Sequence, residues 1–226
     1  MSITTTSLTR VAGVSAVVAG LLFIAVQVNH PHLDVALVST TEWVVREGMK
    51  LSLAVLALIG ITGMYLSQTK KAGVLGLVGY LILGAGFLTM LSVQIIGVAV
   101  LPAIAQSNPA YVSDVLAVAG GGKAVGDIGA MVILNGIGGL TYIGGGLVFG
   151  IALFRANVLA RWASIMLAVA TPMTALIAVL PFINQRLFAV PTGLALIALG
   201  SSLWRQQGAQ VAAAPVRPLA EPADVR

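Results

Sequence analysis

Both histidines of this 226-residue chain lie in one pentapeptide, His30-Pro31-His32-Leu33-Asp34. Two imidazoles and a carboxylate are the ligand types of hydrolase metal clusters, and three such ligands would leave a coordination position open. The competing account is structural: these are interface residues following a helix stopped by proline. It weighs more, because the chain has no further His and no Cys to complete a set, so no metal is expected.

A second candidate is the face formed by Trp43, Arg46, Glu47 and Lys50, related by steps of three and four on a helix. Glu42 can pair with Arg46 and Glu47 with Lys50, so the face can neutralise itself. Charges so near a span either snorkel to the headgroups or line an outward cavity beside the His30 loop. Snorkelling is the favoured expectation. A third set lies at membrane depth: Gln94, Asn135, Thr141 and Tyr142, with Tyr80. An amide in hydrocarbon needs a partner, so Gln94 and Asn135 are expected to point inward and bond across helices.

Other chemistry has little foothold. Gly120-Gly121-Gly122-Lys123 lacks the phosphate-loop spacing and has Ala124 where a magnesium-binding hydroxyl belongs; it reads as a flexible loop. Absence of cysteine excludes disulfides, thiolate metal sites and a Cys nucleophile. No catalytic residue and no cofactor is assigned. No carboxylate, Lys or Arg falls at the centre of an expected span, which argues against a proton relay.

The elements that carry these residues follow from composition. Hydrophobic residues make up 58% of the chain, charged residues 8%, and mean hydropathy is +1.03. Six apolar blocks occur, at about 11–28, 48–68, 74–101, 128–154, 158–180 and 187–204, each near the roughly 20 residues that cross a bilayer as helix. The expected fold is all-α: one polytopic domain over 1–205, with a disordered cytoplasmic tail over 206–226. The first block is longer than a signal-peptide core and no Ala-x-Ala follows it, so it reads as a retained helix. Ser39-Thr40-Thr41-Glu42 reads as a capping box opening the second. Lys70-Lys71 makes a tight turn between antiparallel neighbours. Residues 102–127 form the longest connection, with room for a short surface helix over 111–119, and Pro172 should kink the fifth block.

The few charges predict an orientation. With a cytoplasmic N-terminus, Arg10, Lys70, Lys71, Arg155, Arg161, Arg205, Arg217 and Arg226 lie inside, and Arg46, Lys50, Lys123 and Arg186 outside. Asp34, Glu42, Glu47, Asp114 and Asp127 share that outer side. An N-in/C-in bundle is favoured, with Tyr65, Trp162 and Trp204 as inner and Trp43 as outer interfacial aromatics. The lipid bilayer is the expected partner. No basic cluster with interleaved aromatics suits nucleic acid, and protein partners are not legible. Gly73, Gly76 and Gly79, and the glycines of block four between Gly136 and Gly150, are small-residue packing faces that place block four centrally. Such faces serve contacts between copies as well, so a homo-oligomer is compatible with them.

Arg10-Val11-Ala12-Gly13, His30-Pro31, Trp43, Gly63-Met64-Tyr65-Leu66 and the Gly73/Gly76/Gly79 repeat together resemble bacterial multi-helix integral membrane proteins of the DUF4386-like kind. That resemblance implies the bundle fold and the bacterial cytoplasmic membrane, and no catalytic residue. The leading functional expectation is a non-enzymatic accessory, sensory or stress-related membrane component. A carrier or channel for a small neutral or apolar solute is the alternative, and an outward-facing metalloenzyme using His30, His32 and Asp34 the third.

Overall fold

The computed structural model describes residues 4–28, 30–178 and 189–212, with side chains of the last helix to 206, and all regular structure among them is helical. In chain order the helices are α1 (Thr5–Ala25), α2 (Thr41–Leu66), α3 (Thr69–Ala99), α4 (Leu101–Ile104), α5 (Pro109–Ala119), α6 (Ala130–Ala156), α7 (Arg161–Met173) and α8 (Val190–Ala212). A 3₁₀ turn over Val35–Ser39 precedes α2, and another over Thr174–Ala178 continues α7. Helices α1, α2, α3 and α6 are long and apolar enough to cross a membrane, which makes the chain a membrane protein.

Local chemistry sets the helix ends, not always where the sequence suggested. Helix α1 starts before the apolar block, because Thr4 and Ser7 exchange bonds as a capping box. The box expected at Ser39 shifts by one residue. Ser39 belongs to the preceding 3₁₀ turn, so Thr40 is the cap and accepts from the Trp43 amide at 3.2 Å. Glu42, left without a capping role, turns to Arg46 instead. Lys70 and Lys71 lie in a short helical turn that Gly73, at φ 55°, breaks from the rest of α3. Asn157, left-handed at φ 53°, ends α6 and opens the short turn into α7. The α-helix gives way to 3₁₀ geometry two residues after Pro172. Helix α8 continues past the expected end at 204 through Arg205, Gln206 and Gln207, all good helix formers. Arg186, Arg217, Glu221, Asp224 and Arg226, with the block limits at 180 and 187, lie outside the described residues.

Six helices close a ring, α1–α2–α3–α6–α7–α8 and back to α1, each antiparallel to its neighbours. Glycines bring the axes together. A methyl group added at Gly145 would lie 2.3 Å from the Leu83 amide of α3, and one at Gly20 would lie 2.4 Å from the Gly193 carbonyl of α8. Helix α6 packs most extensively on α3, and Gly146 and Gly150 seat α7 on it. It is one member of the ring and not its axis.

Alternation sends every second helix end to the same side. One end of the bundle carries Arg10, Lys70, Lys71, Arg155, Arg161 and Arg205; the other carries Asp34, Glu42, Glu47, Asp114 and Asp127 with Arg46, Lys50 and Lys123. Toward the basic end the ring is filled by Ile61, Met64, Phe149, Leu153, Leu199 and Leu203. Toward the acidic end a second cluster, with Val38, Trp43, Leu101, Val112, Leu116 and Met131, makes a cap from the first 3₁₀ turn, α4 and α5.

Within the connection over 102–127 the helix expected over 111–119 forms as α5, while the glycine run expected as a flexible loop is hydrogen-bonded into the cap. Asn108 caps α5, accepting from the Tyr111 amide. The glycine run closes it: Gly122 donates to Ala117 O at 2.8 Å, with Gly121 at φ 86°. The Asp114 carboxylate then accepts from the amides of Val125 (3.0 Å) and Gly126 (2.7 Å). These bonds hold its pKa below the ordinary carboxylate value.

Candidate functional site: a capped cavity at the acidic end

Between the packed half of the ring and the cap lies a cavity of about 550 Å³. Its walls are mostly apolar, from Phe23 and Val26 of α1, Leu53 of α2, Met90 and Val93 of α3, and Leu134 and Ile143 of α6. Leu33, Leu116, Gly120 and Gly121 of the cap line its roof. Tyr142 contributes to the wall nearest the packed half, stacked on Phe23 (6.4 Å, 13°) and edge-on to Phe87 (6.0 Å, 82°). The hydroxyls of Tyr142 and Thr192 are both buried beside one another.

Polar residues from four separated stretches converge on this space: His30, Glu47 with Lys50, Gln94, and Asn135. Glu47 is only 3% exposed, and Lys50 Nζ lies 2.5 Å from its Oε1. The buried carboxylate therefore keeps a counter-charge one turn further along its own helix, without which burial would be costly. Lys50 Nζ is also 6.0 Å from the centre of the Trp43 ring. Trp43 is 4% exposed, in contrast to Trp162 and Trp204 at 61% and 52%, so it is a wall of the cavity and not an interfacial aromatic.

The expected cross-helix amide bonds are not formed. Asn135 Nδ2 donates within its own helix, to Met131 O at 2.9 Å, and Gln94 has no hydrogen-bond partner among the described residues. Thr141 is satisfied by the carbonyls of Ile137 (2.6 Å) and Gly138 (3.2 Å) and does not line the cavity. The face expected to hold Arg46, Glu47 and Lys50 together is divided. Arg46 turns away, bonding Glu42 (2.9 Å) and the carbonyls of Val26 (3.2 Å) and Val28 (3.1 Å) at the end of α1. Snorkelling is thus overturned for Glu47, which lies inside the cavity with Lys50.

The metal set does not assemble either. Asp34 caps the 3₁₀ turn by accepting from the Ala36 amide at 2.9 Å, and His30 Nδ1 donates to Pro31 O, also at 2.9 Å. Only His30 of the three lines the cavity. Among the described residues no three His, Cys, Asp or Glu side chains are placed to hold a metal ion.

Sequence reasoning missed Phe23, Gln27, Thr89 and Met90 as lining residues, together with the roof. Gln27, polar at the end of a span, and the Asn108-Pro109 helix start were the available signals. Charge gives the site its character: a neutral ion pair and the uncommitted Gln94 amide near a mostly apolar space, suited to holding a small molecule by shape with a few polar anchors. No protein-family model, no curated protein and no solved structure is significantly similar to this chain.

Proposed function

We propose that the chain is a six-span, N-in/C-in protein of a bacterial cytoplasmic membrane whose capped cavity binds a small, largely apolar solute for carriage or sensing. In this proposal α7 with its 3₁₀ continuation and α8 are the fifth and sixth spans. The unequal share of Lys and Arg at the two bundle ends supports an outward-facing cavity.

One observation carries the functional part: Gln94, Asn135 and the Glu47–Lys50 pair line a single cavity of about 550 Å³, within the roughly 300–1,000 Å³ of small-molecule sites. A carrier or ligand sensor is favoured over an open channel, because Phe149, Leu153 and Leu203 pack the ring between cavity and basic end. The accessory or sensory role expected first is compatible with such a site, the solute then being its signal.

Trp43 supplies the test. With Trp162 and Trp204 replaced by Phe it is the one remaining tryptophan, and a brominated alkane added to the protein in nanodiscs should quench it saturably. Asn135→Phe, which fills the cavity, should abolish the saturable part. Quenching that rises only with partition into the bilayer, and is unchanged in Asn135→Phe, would refute the proposal.

A further inference from the structure

We propose that the Trp43 ring and the Glu47 carboxylate form a site for an organic cation, which Lys50 occupies from within the chain, so that the preferred solute is a largely apolar amine. The inference rests on the solute-binding reading of the cavity and names the chemical class of that solute.

The parts are those of an ammonium site. Trp43 donates its indole N–H to Gly97 O at 2.8 Å, which fixes the ring in the cavity wall. Ammonium groups bind over such ring faces at up to about 6 Å from the centre, and Lys50 Nζ sits 6.0 Å away. Glu47 provides the charge, with Oε1 bonded to Lys50; Oε2 has no hydrogen-bond partner among the described residues. An anionic solute would meet this carboxylate, whereas an ammonium would meet an acceptor already in place.

Lys50 is suited to be displaced. Its ammonium is carried on a flexible stem, and its side chain is 22% exposed against 4% for Glu47, so it can swing toward water while Glu47 stays inside. Exchange of one cation for another leaves the buried carboxylate neutralised throughout, avoiding the penalty of an unpaired charge. The apolar body of the solute would then lie against Phe23, Met90 and Tyr142. A tethered competitor lowers apparent affinity by the fraction of time it holds the site, so removing it should tighten binding.

The test compares decyltrimethylammonium with 1-decanol, each displacing the brominated quencher from the protein whose one tryptophan is Trp43, in nanodiscs of zwitterionic lipid. Lys50→Met should shift the preference for the cation over 1-decanol about tenfold toward the cation relative to the parent. Adding Glu47→Gln to Lys50→Met should reverse the gain and leave the cation bound more weakly than by the parent. The double variant buries no unpaired charge, so it also serves if Lys50→Met does not fold: its preference should shift about tenfold away from the cation and toward 1-decanol relative to the parent. Retained 1-decanol binding, with the cation-over-decanol preference unmoved in Lys50→Met or in the double variant, would overturn the cation site alone. Failure of both probes on the parent would overturn the solute-binding reading and the cation site with it.

Discussion

Trp43 of α2 donates its indole N–H to the main-chain carbonyl of Gly97 in α3, 2.8 Å away and 54 positions later in the chain. Glycine at the acceptor position leaves room for the neighbouring acid. A methyl group at position 97 would lie 3.3 Å from Glu47 Oε2, crowding the carboxylate that shares the wall. One small residue therefore accommodates both the aromatic ring and the buried acid.

Trp43→Phe keeps an aromatic ring and deletes the donor. The expected cost is about 1 kcal/mol, the net worth of a typical intramolecular hydrogen bond. It should register as a lowered midpoint in chemical unfolding of the detergent-solubilised protein; an unchanged midpoint would show that the bond does not hold α2 to α3.

The glycines of α6 should divide into two classes. Gly145→Ala would force a methyl to 2.3 Å from the Leu83 amide, with no flexible side chain there to yield; overpacking of this kind costs about 1–3 kcal/mol. Gly136 and Gly144 meet nothing within 4 Å, so alanine there should be neutral or stabilising by up to about 1 kcal/mol through helix propensity. Thermal inactivation of the three variants side by side checks the split, which a uniform effect would contradict.

Asp114 should make the cap loop sensitive to acid. Its folded pKa is below the ordinary value because the carboxylate accepts from Val125 and Gly126. Its contribution is therefore fully present above the unfolded pKa, hence at neutral pH, and is lost as pH falls through the lowered value. Amide exchange at Val125 and Gly126, corrected for its intrinsic pH dependence, should show protection at neutral pH that declines only in strong acid. Asp114→Asn should weaken that protection already at pH 7.

Absence of cysteine makes the orientation directly testable. Ser107→Cys lies in the cap and Ser67→Cys in the turn between α2 and α3 at the basic end. A membrane-impermeant maleimide applied to intact cells should label the first and not the second. The reverse pattern would invert the orientation.

Much of the fold was legible because lipid imposes a simple rule: backbone polar groups must be satisfied within the segment, so long apolar runs become helices. Blocks one to four appear as α1, α2, α3 and α6, and the tight Lys70-Lys71 turn does join antiparallel neighbours. The cap was less legible. Its short elements are stabilised by contacts of the 3₁₀ turn Val35–Ser39 with α4 and α5, which lie some 60 to 80 positions away in the sequence, and local pattern does not report such pairings.

The site divides along the same line. Composition and charge placement alone decide that this chain belongs in a membrane, that five of its seven acids gather at one end, and which polar residues fall within apolar blocks. Which of them share a space was decided only by the rotation of each helix in the closed ring. Arg46 and Glu47 are adjacent in sequence, yet consecutive helical residues point about 100° apart. Packing of α2 between α1 and α3 therefore sends Arg46 to the end of α1 and Glu47 into the cavity. Gln94 and Asn135 likewise came together because the glycine contacts of α3 and α6, including Gly145 against Leu83, draw those helices close and set their facing sides.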